Sequence, residues 1–197
     1  MGIYAVNTRM VQLNYSGKLL IAQPRCVSNF FTETVTLLVS HAVHGSWGLI
    51  VNKKFDGEAM TLNDLLDSVG IERQKNFPDP LYIGGPVERS KVAVLHTSEW
   101  VSHSTQSITD QISMTNDLSI LAAISRDEGP ERYRIICGLS AWGSGQLEGE
   151  MQGQAPWTPQ HIWLTAPASA EIFDSEGREL WNRSLQTAVN LEVKEWF

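Results

Sequence analysis

The chain has 197 residues, 42% of them hydrophobic and 19% charged, and a net charge of −7 at neutral pH. These values lie near the averages of folded domains, exclude a disordered chain and set one domain with one core as the expectation. The acidic balance repels phosphate backbones at long range, which argues against direct nucleic-acid binding unless a local basic patch exists.

Cys26 and Cys137 are the only cysteines, with no CxxC pair and no zinc-type spacing. That excludes a disulfide framework and fits a reducing cytosol. The longest apolar runs, such as residues 34–39 and 47–51, fall far short of the ~20 residues that span a bilayer. Residues 1–10 carry one Arg and no long apolar stretch, so they do not read as a signal peptide. The expectation is a cytoplasmic protein with no membrane segment, an N-terminal extension over 1–17 that is poorly ordered or forms an edge, and a single domain over 18–197. Met10 is an alternative start.

In chain order, residues 18–23 form a short apolar run that Pro24 stops, a first strand. Residues 34–39 and 46–51 are β-branched and apolar, with the His- and Gly-bearing stretch 41–45 between them, which predicts a hairpin buried on both faces. Residues 61–69 predict an amphipathic helix: Thr61 is the N-cap, Leu62, Leu65, Leu66 and Val69 share a face, and Gly70 lies beyond the end. Strands follow at 81–83 and 92–96, flanking the turn Gly84-Gly85-Pro86-Val87. A second helix starts at Thr115 or Asn116 and ends before Gly129-Pro130. Residues 132–139 read as a strand, 138–145 as a glycine-rich turn, 146–151 as a helix and 161–165 as a strand. From Ala168 onward the pattern is helical with a break near 174–177. Strands come in clusters, not in strict β-α-β alternation, so the fold class is α+β.

No motif assembles a catalytic centre. Gly138, Gly143 and Gly145 could offer backbone N–H groups to an anion, but the stretch lacks the lysine of a Walker loop and the spacing of a dinucleotide fingerprint. Ser140 misses the nucleophile-elbow pattern because Trp142 stands where glycine is required. Cys26 beside Arg25, with a histidine such as His41, is the one reactive-thiol possibility; a packed thiol is the commoner case, and Cys137 belongs to an apolar strand. His41 and His44 point to opposite faces of a straight strand, and His96, His103 and His161 are isolated, so no metal site is supported. Glu148 and Glu150 stand at a helix start, where capping explains them. The basic pairs Lys53-Lys54, Arg73/Lys75, Arg89/Lys91 and Arg132/Arg134 are dispersed as on a solvated surface. Trp47, Trp100, Trp142 and Trp163 are expected in the core, while an exposed tryptophan would mark a contact site.

Residues 20–24, 47–53, 62–70, 84–87, Leu95-His96 and 138–150, with the string G-x-x-x-W-G-x-G-Q-L-E-x-E, resemble the successive blocks of the bacterial YqgE/AlgH family over roughly 18–185. Lys54 stands where that pattern usually has proline, and Thr97 where serine often closes a block. The resemblance implies a complex α+β fold with a bifurcated sheet partly closed into a small barrel and surrounded by helices. It implies no established catalytic activity and no cofactor; AlgH-type members have been described as transcriptional regulators in alginate production. It also places a candidate cleft for a ligand or partner around Asn52, Gly84, Gly85, His96, Trp142, Gly143 and Gln146. The leading expectation is a non-enzymatic regulatory or interaction protein with a protein partner or small ligand; the alternative is a small-molecule enzyme, hydrolase or redox, built on the glycine-rich loops.

Overall fold

Alternation in the first apolar run decides how the sheet is covered. Strand β1 (Lys18–Ala22) sends Leu19 and Ile21 into a cluster with Leu180 and Trp181, and Leu20 and Ala22 into another with Trp142 and Trp163. Successive side chains point to opposite faces, so a strand apolar at every position must be covered on both. The computed structural model describes residues 14–26, 30–55, 60–157 and 162–194.

Strands β2 (Val35–Ala42) and β3 (Gly45–Ile50) form the expected hairpin. It turns at Val43 and His44, so His41 belongs to β2 and not to the connection. Helix α1 (Leu62–Ser68) is closed by a reciprocal capping box between Thr61 and Asp64. Leu62 and Leu66 are buried, whereas Val69, expected on the packed face, is exposed beyond the last turn.

The next strands are β4 (Tyr82–Ile83), β5 (Val87–Thr97), β6 (Gln106–Ser107) and β7 (Ile112–Thr115). Helix α2 (Leu118–Ser125) is capped by the Asp117 side chain on Ser119 N, so it starts two or three residues later than the expected Asn116 or Thr115. Strand β8 (Tyr133–Gly143) continues through the stretch expected to be a glycine-rich turn, leaving only Ser144 and Gly145 before α3 (Gln146–Gln152). Strand β9 (Trp163–Pro167), a 3-10 turn (Ala170–Phe173) and α4 (Gly177–Lys194) complete the chain; the break expected near 174–177 separates the last two. His161, expected to open the ninth strand, lies outside the described residues, as do residues 1–13 of the expected extension. Asn14 to Gly17 lead into β1, with Gly17 N donating to Leu38 O at 2.8 Å.

β8 organises the sheet. Its first half carries β5 on one edge and β4, in parallel, on the other; its second half carries β3. β4 and β5 therefore flank β8 and do not pair with each other across the Gly84–Val87 turn. The order β6-β7-β5-β8-β3-β2-β1-β9 describes a curled half-barrel. Its two ends approach where Gln111 Oε1 accepts from Ala170 N at 3.0 Å. Helices cover this sheet in patches and do not surround it: α1 and α2 over the residues of β5 and β8 that face Leu62 and Ile120, α3 over Trp142 and Trp163, and α4 over β1, β2 and β9.

Candidate functional site

The residues singled out by sequence fall in three places. Asn52, Gly84 and Gly85 lie where β3, β4 and β8 meet. Asn52 is buried; its Oδ1 accepts from Val35 N at 2.8 Å, and its Nδ2 donates to Glu33 O and Gly177 O, each at 2.9 Å. Gly84 O accepts from Ile50 N at 2.9 Å and from Ser140 Oγ at 3.1 Å, so the hydroxyl considered as a nucleophile is a buried donor. A Cβ on Gly84 would stand 2.2 Å from Gly138 O, and one on Gly85 2.0 Å from Leu139 O. Only glycine permits these backbones to approach so closely.

His96 is wholly buried between β5 and β7. Its Nδ1 lies 2.8 Å from Thr97 O, a group that can only accept, so Nδ1 carries the proton and Nε2 accepts from Thr115 Oγ1 at 2.9 Å. With that hydrogen used, the 2.7 Å contact between Thr105 and Thr115 has Thr105 as donor. Burial pushes the His96 pKa down, against smaller upward contributions from the Thr97 carbonyl and Glu99. It is a neutral structural histidine.

Trp142, Gly143 and Gln146 do come together, at the β8–α3 junction. Gly143 N donates to Gln146 Oε1 at 3.0 Å, and Gln146 Nε2 donates to Glu150 Oε1 at 2.9 Å. The other oxygen of Glu150 accepts from Trp142 Nε1 at 3.0 Å and Trp163 Nε1 at 2.8 Å. Glu150 thus pins two indoles under α3; it does not cap the helix, whose N-cap is Gly145 with no side-chain bond. The indoles stand edge to face, with Phe31 against both. Cys26 is buried in the same cluster, where burial and then the field of Glu150 push its thiol pKa up, opposite to what a reactive cysteine needs.

Beside this junction Ser46, His41 and Glu148 stand in a row. Ser46 Oγ is 2.7 Å from His41 Nδ1, and His41 Nε2, which has no hydrogen-bond partner, is 3.6 Å from Glu148 Oε1. The order resembles a hydrolytic triad, but the His41 side chain is 2% exposed and Ser46 6%. The carboxylate is beyond hydrogen-bond length, and the hydroxyl faces the interior. His44, by contrast, sits exposed at the hairpin turn.

Sequence reasoning placed Arg134 on a solvated surface; the structure buries it. Its guanidinium donates to Val51 O at 2.5 Å and Ser175 O at 2.6 Å and lies over the rings of Tyr82 and Phe173. Tyr82 OH donates to Glu176, which also pairs with Lys54; burial first, then this bond, holds the Tyr82 pKa well above the ordinary phenol. The signal was present in the period of the strand, because Arg134 shares a face with Ile136. Lys53 is likewise committed, donating to Phe30 O at 3.0 Å.

Two surface features adjoin the β8–α3 junction. Val43, at the hairpin turn, is 62% exposed, and its carbonyl accepts from Ser144 Oγ at 2.7 Å. Trp157 is 46% exposed and lies on α3 against Gly149, where a Cβ would stand 2.1 Å from its ring. Among the described residues no group of three or more His, Cys, Asp or Glu could hold a metal, and no helix is long and apolar enough to cross a membrane.

The fold and site define an α+β protein in which a strand shared by three neighbours holds a curled sheet, and in which the motif residues tie that sheet to its loops and helices. The chain belongs to the AlgH-like family, whose model matches residues 19–190. A UPF0301 protein of Methylococcus capsulatus is 34% identical over 174 residues, covering 88% of this chain and 91% of the relative. One of Nitrosospira multiformis is 35% identical over 175 residues, covering 86% and 88%. The solution structure of the AlgH protein of Pseudomonas aeruginosa aligns with a TM-score of 0.69 at 28% identity, over 95% of this chain and 92% of that one. The crystal structure of a Corynebacterium diphtheriae protein shares the fold, with a TM-score of 0.65 at 24% identity over 86% and 84% of the two chains.

Proposed function

We propose that this chain is a non-enzymatic regulatory or interaction protein of the cytoplasm, acting as one domain over residues 18–197 and meeting a protein partner through the surface around α3. The observation that carries this reading is that three of the chemistry-bearing side chains marked by sequence, Asn52, His96 and Ser140, are buried with their polar atoms paired inside the fold. What stands at the surface is a contact chemistry, with the exposed Trp157 and Val43 on either side of the Gly143–Gln146 turn as anchors. Both cysteines are free and buried, which suits a reducing compartment. A regulatory role accords with the resemblance to AlgH-type proteins.

The test is retention of a partner from native bacterial cytosol by the full chain and by a Val43→Asp/Trp157→Ala variant whose melting temperature is unchanged. A partner held stoichiometrically by the first and lost by the second is the expected result. Reproducible small-molecule turnover, abolished by His41→Gln or Glu148→Gln, would overturn the reading.

A further inference from the structure

We propose that the groove between α4 and the segment running from β9 into the 3-10 turn binds a small zwitterion of the amino-acid class with an apolar side chain. The groove has a volume of about 300 Å³, the lower end of the range for small-molecule sites. Leu19, Ala166, Ile172 and Leu180, from four different elements, make an apolar floor.

Two opposite charges line this groove with no ion-pair partner among the described residues. Neighbouring charges are paired: Arg132 with Asp174, Arg178 with Glu33, Lys54 with Glu176. Arg183, on α4, donates to the neutral Ser175 hydroxyl at 3.3 Å and has no carboxylate within ion-pair distance among the described residues. Glu171, on the 3-10 turn, has no cation at its carboxylate among the described residues. They come from the two walls, so a ligand that lies between them and carries both a carboxylate and an ammonium group satisfies each. The guanidinium fork suits a carboxylate, and the Glu171 carboxylate suits an ammonium group.

Ser184, 6% exposed, lines the groove and adds a hydroxyl to the α4 wall. Leu180, Arg183, Ser184 and Thr187 follow the spacing of one helical face, so α4 presents floor, cation and hydroxyl together. This site is separate from the surface around α3, and either proposal can fail without the other.

The experiment is an amide NMR titration of the full chain with L-leucine, L-valine and L-phenylalanine, alongside N-acetyl-L-leucine, which lacks the ammonium group, and L-leucinamide, which lacks the carboxylate. Saturable shifts confined to β9, the 3-10 turn and α4 are expected with at least one of the amino acids. Loss of either charge on the ligand, or Arg183→Gln or Glu171→Gln in the protein, should weaken binding about tenfold, the size of one charge-assisted hydrogen bond. Ser184→Ala should weaken it less. The spectra of the variants report directly that the fold is retained. No saturable shift with any of the three amino acids, or binding of the acetylated and amidated forms as tight as that of L-leucine, overturns the proposal. So does unchanged affinity in both charge variants.

Discussion

Asn52 reaches Gly177 across 125 residues of sequence, its Nδ2 donating to the Gly177 carbonyl at 2.9 Å. Through the same side chain the start of β2 and the first residue of α4 are joined to the end of β3. Asn52→Ala strands a buried N–H and two carbonyls, and a loss of about 2–4 kcal/mol in urea unfolding is expected. Asn52→Asp keeps the shape but turns an oxygen toward the two carbonyls. A comparable loss there locates the cost in the amide hydrogens; a near-neutral Asp variant would show that shape alone holds the junction.

Glu150 is expected to control both tryptophan environment and thiol acidity. Glu150→Ala removes the acceptor of two indoles and one amide, and should destabilise the chain by about 2–4 kcal/mol and shift tryptophan emission. In Glu150→Gln the negative field on Cys26 is gone, so the raised thiol pKa falls part of the way back, with burial still holding it up. Thiol modification rates against pH measure this directly. An unchanged profile would mean that burial alone sets the thiol.

The motif glycines are not equivalent. Gly85→Ala drives a Cβ to 2.0 Å from backbone atoms of Leu139, which no side-chain rotation relieves, and a loss of about 3 kcal/mol or more is expected. Gly143→Ala meets nothing nearer than Gln146 Oε1 at 3.9 Å and should change the melting temperature little. Equal effects of the two substitutions would contradict the packing described at the β4–β8 contact.

His96 should make the fold acid-sensitive. Its pKa is lowered in the folded chain from a reference of 6.5, so below that value the unfolded state binds a proton that the folded state does not. The stability His96 contributes is complete above about pH 6.5 and is lost as pH falls toward the folded pKa, at up to about 1.4 kcal/mol per pH unit. Urea midpoints between pH 7.5 and 5, compared with His96→Gln, should diverge toward acid. Parallel curves would place the proton uptake elsewhere.

Much of the fold was legible because periodicity and capping act locally. The Thr61 cap, the buried Leu62 and Leu66 of α1, the apolar run of β1 and the break before α4 all read correctly from adjacent residues. What escaped depends on distant partners. β7 is four residues long and takes its place from β5, and the glycines at 138 and 143 look like a loop until β3 and β5 are set beside them. The cleft expected around the motif residues shows the same division. Trp142, Gly143 and Gln146, separated by at most a helical turn, do meet, whereas His96 is placed by the β5–β7 pairing and Asn52 by the start of α4. Arg134 was hidden by its charge, since a composition-based reading assigns such a residue to solvent.

On the function proposed above, the motif residues build the fold while the surface around α3 meets a partner. The most direct test measures melting temperature and retention of a cytosolic partner on the same preparations of Asn52→Ala and Val43→Asp/Trp157→Ala. The expected pattern is a lowered melting temperature for the first and an unchanged melting temperature with loss of the partner for the second. An Asn52 variant as stable as the parent, or a surface variant that keeps its partner at full occupancy, would contradict it.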